Sequence, residues 1–151
     1  MKKPAQLRDH LLASVAHLQR NPDSLLIYIA SGTLHTRLLT NLNFDYNYQL
    51  QIIVTDFAEH PNAIIVPLLA WLKHHQIDLK EQDIKFEADI IRKDLIDLQI
   101  TLPLNECVIV NQDDQGRYSA EHLPEPIPEY NQPDPDPFQE LFHDESNLTN
   151  G

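Results

Sequence analysis

The sequence predicts an α+β domain, a mainly antiparallel sheet with two helices packed on one face. Three observations carry this reading. Residues 44–55 alternate apolar and polar side chains almost without a break. Two segments, 5–19 and 62–75, instead space their apolar residues at helical intervals. Finally, 84–90 and 96–104 alternate again with only a short turn between them. Strands that close pair antiparallel, because a parallel pair needs a crossover of roughly a dozen residues. Helices that must bury one stripe against such a sheet give a two-layer sandwich.

Taken in chain order, the first helix is predicted over 5–19, with Leu7, Leu11, Val15 and Leu18 as its stripe and Pro4 suited to its first turn. Asn21-Pro22-Asp23 stops it. Leu25–Ala30 is short, apolar and β-prone and reads as a strand; Ser31-Gly32 reads as a turn, and 33–39 as a weaker returning strand. In 44–55 the even positions are Phe44, Tyr46, Tyr48, Leu50, Ile52 and Val54, so one face packs on a core. Residues 56–61 form a loop. The second helix, 62–75, carries Ile64, Ile65, Leu68, Leu69 and Leu72 as its buried stripe, with Trp71 at the flank and Pro67 in conflict with a regular helix. A polar connection follows. The hairpin then sets Ile84, Phe86, Ala88 and Ile90 against Ile96, Leu98, Ile100, Leu102 and Leu104. Cys107–Val110 reads as a further short strand, Asn111–Gly116 as a turn, and Tyr118–Ala120 as the strand that closes a hairpin across it.

The chain has 151 residues and a formal net charge of -12, unevenly spread. Eight acids and no Lys or Arg lie between Glu121 and the end, which leaves -4 for residues 1–120. The expected organisation is a folded domain over 1–120 and an acidic, proline-rich, largely disordered tail over 121–151. Six of the fourteen residues from Pro124 to Pro137 are proline, too few of the rest being apolar to form a core. Beyond them Phe138, Leu141 and Phe142 stand at i, i+3 and i+4, the spacing of a short helical docking motif. The body shows no basic patch, so direct nucleic acid binding is not expected. No run of about 18 apolar residues is present, so neither is a membrane span. The single cysteine, Cys107, excludes an internal disulfide and a multi-cysteine zinc site.

The search for chemistry finds weak signals only. Asn111-x-Asp113-x-Gln115-Gly116 echoes a calcium loop, but His122 stands where a bidentate Glu is needed, and a hairpin turn explains the residues better. His74 and His75 point about 100° apart on a helix, and His10 and His17 are two turns apart, so neither pair suits one metal ion. Cys107, in an apolar strand, reads as a buried inert thiol. Asp89, Asp94 and Asp97 read as solvated strand and turn acids. Three glycines leave no phosphate-cradling loop. No catalytic, cofactor-binding or metal-binding residues are expected, and no cofactor. Phe44, Tyr46 and Tyr48 share one strand face, open to two readings, core packing or interface. The 44–55 strand is long for a small core, and one end is expected to project and to pair with another subunit.

Several strings have a familiar look: Met1-Lys2-Lys3-Pro4, Arg20-Asn21-Pro22, Phe44-x-Tyr46-x-Tyr48, Val54-Thr55-Asp56-Phe57, Val66-Pro67-Leu68-Leu69-Ala70-Trp71-Leu72, Phe86-Glu87-Ala88-Asp89-Ile90, Val108-Ile109-Val110 and Glu121-His122-Leu123-Pro124-Glu125-Pro126. Collinear over residues 1–126, they resemble the tail completion protein R family of temperate, contractile-tailed bacteriophages. The resemblance implies a structural virion-assembly protein, not an enzyme, at the head-proximal end of the tail, needed for tail finishing and head–tail joining. It implies tail tube, sheath or head-joining proteins as partners, and a life in the host bacterial cytoplasm during assembly and then in the virion tail. Looser analogy with tail terminators adds a terminator-like fold and self-association into a ring, sixfold like a tail tube. The candidate interface residues are then Phe44, Tyr46 and Tyr48 in the body and Phe138, Leu141 and Phe142 in the tail. The rival classes are an acidic protein-binding or inhibitor module that imitates nucleic acid, and a small-ligand enzyme, which requires a pocket with perturbed titratable groups.

Overall fold

The computed structural model describes residues 1–38, 40–76 and 84–124. They form the expected α+β sandwich. Helices α1 (Lys3–Ser14), α2 (Ala16–Arg20) and α3 (Asn62–His75) lie against a five-stranded sheet. Its strands are β1 (Leu25–Thr36), β2 (Phe44–Phe57), β3 (Lys85–Arg92), β4 (Leu95–Gln112) and β5 (Tyr118–His122). All pairings are antiparallel, in the order β1-β2-β4-β3, with β5 on β4 as well.

The predicted first helix is broken at Val15, whose backbone is extended (φ -112°, ψ 111°). The stripe survives the break, since Leu7, Leu11, Val15 and Leu18 are all buried. A stiff β-branched residue at the joint lets the short second helix turn Leu18 back onto the core. Arg8 ties the start of the sheet to α1, its guanidinium donating to the Leu25 carbonyl at 2.8 Å.

Two predicted breaks are absent. Ser31-Gly32 is not a turn: β1 runs through it, and Ala30 is the extra residue of a bulge between Ile29↔Leu50 and Ser31↔Gln49. Gly32 faces Tyr48, and a Cβ there would sit 3.2 Å from the Tyr48 Cβ and 3.3 Å from the Asn47 carbonyl. The glycine marks a close approach between strands. Likewise 96–104 and 107–110 belong to a single 18-residue strand, β4.

Alternation sets the two faces. On β2, Tyr48, Leu50, Ile52 and Val54 point under the helices, and on β4 Leu98, Ile100, Leu102, Leu104, Glu106 and Val108 do the same. Phe57 closes the core after a bulge at Thr55-Asp56, where Asp97 Oδ1 accepts the Asp56 N–H at 2.9 Å. From α3 come Ile64, Leu68, Trp71 and Leu72. Trp71 is therefore core rather than flank. Leu69, predicted in the buried stripe, is 48% exposed. β3 alternates as predicted, yet it is exposed throughout, because α3 does not extend over it.

Candidate interface

The helices reach along the sheet as far as Glu106, whose carboxylate meets the N-terminus of α1. Beyond that level β4 runs another six residues, roughly 20 Å, with the ends of β1 and β2 on one side and β5 on the other. This is the projecting end expected of the long strand. Phe44, Tyr46 and Tyr48 lie in line along its helix-side face, at graded depth.

Tyr48 belongs to the core, 4% exposed. Its hydroxyl donates to Glu106 Oε2 at 2.7 Å. Tyr46 is half-buried and stacks on the His122 ring, centroids 6.3 Å apart and planes 13° from parallel. Phe44, also half-buried, meets Tyr46 edge-on at 5.1 Å. An apolar hollow of about 230 Å³ beside them is lined by Met1, Ile29, Leu34 and Tyr46 among others, and Leu34 is 63% exposed. Leu34 is thus exposed on this face, and Phe44 and Tyr46 are half-exposed beside it. Phe138, Leu141 and Phe142 lie outside the described residues.

Beneath this surface lies a buried carboxylate that no sequence motif marks. Glu106 is 5% exposed and on the core face of β4. Its Oε1 accepts the backbone N–H of Lys2 at 2.7 Å and of Lys3 at 3.4 Å, so the carboxylate caps the N-terminus of α1 from another element. Nδ1 of His122 is 3.5 Å from the same oxygen, buried and without a hydrogen bond. Burial pushes the Glu106 carboxyl up, but the bonds from Tyr48, Lys2 and Lys3, with the nearby chain-terminal ammonium, outweigh it and hold the group below its usual range. Tyr48 shows the converse: burial first, then its bond to Glu106 and that group's charge, push its phenol far above the ordinary value. Next to this cluster the Lys3 ammonium donates to Gln76 Oε1 at 2.8 Å, and Gln76 in turn bonds the Asn105 side chain and backbone at 3.1 Å. Helix ends, β2, β4 and β5 are thereby pinned at one point.

The other residues singled out fall into ordinary roles. Asp113 holds its own turn, accepting from the Gln115 and Arg117 backbones and pairing with the Arg117 side chain, each at 2.9 Å, with Gly116 at φ 80°. His10 Nε2 bonds the Pro67 carbonyl at 2.9 Å, His17 meets Phe57 edge-on, and His75 stacks on Trp71 at 4.3 Å. Asp94 pairs with Arg92, and Asp89 stands opposite Asp97. Among the described residues no group of three or more His, Cys, Asp or Glu is placed to hold a metal ion. Cys107 is exposed, not buried as predicted. In the continuous β4 its odd number puts it on the outer face with Asn105 and Ile109. A hollow of about 400 Å³ is lined by residues such as Ser31, Asn47, Gln49 and Pro103, and no carboxylate or imidazole borders it.

The family model described as P2 phage tail completion protein R matches residues 1–126, which contain every element of the fold. The chain belongs to the P2 phage tail completion protein R family. A curated relative, "Tail completion protein R" of Escherichia phage P2, is 37% identical over 134 residues, covering 85% of this chain and 86% of the relative. No solved structure matches. In this family member the Pro67–Leu72 string lies in α3 and the Phe86–Ile90 string is the exposed strand β3, so the family-like strings occupy both core and surface. No helix among the described residues is long and apolar enough to cross a membrane.

Proposed function

We propose that this protein is a structural component that completes the head-proximal end of a phage tail, making it competent to join the filled head, and that it performs no catalysis. The family match over the whole described fold carries the reading. It assembles in the host bacterial cytoplasm and ends in the virion tail, against tail tube, sheath or head-joining proteins. Its working form is a ring of identical subunits, sixfold by analogy with tail terminators. Ring contacts are heterologous, so each subunit needs two different complementary surfaces. The sheet offers them: β1 borders one side with a single partner strand, and β3 and β5 border the other. The projecting end adds Leu34, Phe44 and Tyr46, whose apolar area a neighbour would bury. Tyr48 supports that end from below. The segment from Phe138 to Phe142 makes a second contact, on a neighbouring tail or head component.

Size-exclusion chromatography with light scattering tests the ring, and complementation of a phage lacking the gene tests the role. Tyr46→Asp is expected to stay folded, remain monomeric and give no infectious particles. An unchanged oligomer with normal infectivity would remove Tyr46 from the interface. Normal particles after deletion of residues 127–151 would remove the tail contact.

A further inference from the structure

On the helix side of the sheet, next to α3, lies an uncovered apolar strip. Phe86 and Ile90 of β3 share the face on which Leu98 and Ile100 are buried, yet they are 70% and 78% exposed. α3 adds one more exposed apolar side chain on this side of the sheet. Pro67 marks the flank that meets α1 through His10, and Leu69 stands about 160° round the helix from it, on the flank turned away from α1. Leu69 is half exposed. Phe86, Ile90 and Leu69 are a large apolar group for a strand at the edge of a sheet.

We infer that in the free subunit this strip is covered by the chain's own C-terminal segment, with Phe138, Leu141 and Phe142 on Phe86, Ile90 and Leu69. The path of the chain argues for it. β5 and β3 pair with the same edge of β4: Val108 pairs with Phe44 on one side and His122 on the other, while β3 takes Leu95–Thr101. Both strands run in the same direction, and the Leu123 N–H bonds the Cys107 carbonyl at 2.9 Å. The chain therefore leaves β5 along that edge and heads for β3. From Cys107 to Thr101, opposite Lys85, is about 20 Å, and to Leu95, opposite Arg92, about 40 Å. The fourteen residue steps from Pro124 to Phe138 span about 43 Å as polyproline II. The segment thus reaches the whole strip without strain, at an effective concentration in the millimolar range.

The chemistry fits as well. Three apolar side chains at i, i+3 and i+4 make one face of a helical turn, enough for a strip of three exposed apolar residues. Glu140, Asp144 and Glu145 flank them. Strand alternation turns the acids of β3, Glu87 and Asp89, to the opposite face, paired across from Gln99 and Asp97. Arg92 and Lys93 stand at the hairpin end. The strip therefore offers no like charge to the acidic segment. A tail or head partner that binds Phe138–Phe142 has to displace it from β3, so the two contacts exclude one another.

The test is paramagnetic relaxation in the full chain, with Cys107→Ser and Leu141→Cys carrying a nitroxide. Broadening is expected at Phe86, Ala88 and Ile90 and not at Leu26–Ile29 of β1. It should vanish in Phe86→Ser/Ile90→Ser, whose substitutions are on exposed side chains. Equal broadening of β1 and β3 overturns the proposal. Broadening that passes from a labelled chain to an unlabelled, isotope-enriched one overturns it too, since the occupant is then a second copy. None of these readouts depends on the phage role.

Discussion

Glu106→Gln removes one charge and keeps the shape of the side chain. In the parent, the carboxylate takes two short bonds, from the Tyr48 hydroxyl and the Lys2 N–H, both 2.7 Å. A hydrogen bond to a charged group contributes about 1.5–3 kcal/mol, a neutral one about 0.5–1.5. Two such downgrades amount to about 2–3 kcal/mol, and the lost charge at the α1 N-terminus adds about 0.3–1. The amide has one acceptor oxygen where the carboxylate has two, so it cannot keep both bonds as they stand, and an N–H must turn to the Tyr48 hydroxyl. The expected loss is about 3 kcal/mol, or about 2 M in the urea midpoint for a slope near 1.5 kcal/mol per M. Trp71, the one tryptophan and 4% exposed, reports the transition by fluorescence.

The pH dependence has a definite sign. The folded-state pKa of Glu106 is depressed below its ordinary 4.5. Its contribution is therefore present in full above that value and declines as pH falls through the folded pKa. The gap between parent and Glu106→Gln should be widest near neutral pH and should narrow in acid. A variant within about 0.5 kcal/mol of the parent at pH 7, or a gap that widens in acid, would refute the account of Glu106 as a charged cap.

Two further outcomes follow from the same geometry. Tyr48→Phe should cost about 1–3 kcal/mol. The parent should also lose stability above pH 10.0, where the unfolded phenol ionises and the folded one stays neutral; Tyr48→Phe should lack that part of the alkaline limb, and an identical alkaline profile would contradict the assignment. Pro67→Ala should restore an N–H at the sixth position of α3 and stabilise by about 1–3 kcal/mol, seen as a Tm higher by about 4 °C per kcal/mol. A lower Tm would show that the proline's conformation is needed to present its carbonyl to His10.

What the sequence made legible was whatever depends on period. The faces of β2, the helical stripe through Leu7 and Leu18, and the hairpin of β3 and β4 were all readable from alternation or from spacing at i, i+3 and i+4. The errors concern coverage and continuity, which period does not encode. Leu69 and Phe86 have correct patterning but are exposed, because the place where a helix stops covering a sheet is decided by tertiary packing. Gly32 looks like a turn because glycine serves turns and close approaches equally well. Cys107 looks buried only if a strand ends at Leu104 and a new one starts at Cys107; on the continuous β4 it faces outward.

The same continuity of β4 decides the place of Glu106. An acid after Leu98, Ile100, Leu102 and Leu104, with Val108 following, looks like the end of an apolar run. If the strand is instead continued on its own period, Glu106 is forced onto the core face. A carboxylate there must find donors, since an unpaired buried charge costs several kcal/mol. The donors available on neighbouring elements are few: a tyrosine hydroxyl on the same face of β2, and the open N–H groups at the start of a helix. Tyr48 and the Lys2–Lys3 backbone are what the structure supplies. Of the three aligned aromatics, Tyr48 is thereby fully buried in the subunit's own core, while Phe44 and Tyr46 are only half-buried. A neighbour that presses on Tyr46 presses on His122 behind it, and His122 lies against Glu106. In the proposed ring the contact surface is therefore backed by the cap of α1, and Glu106→Gln is expected to lower the oligomer fraction seen by light scattering in a variant that is still folded.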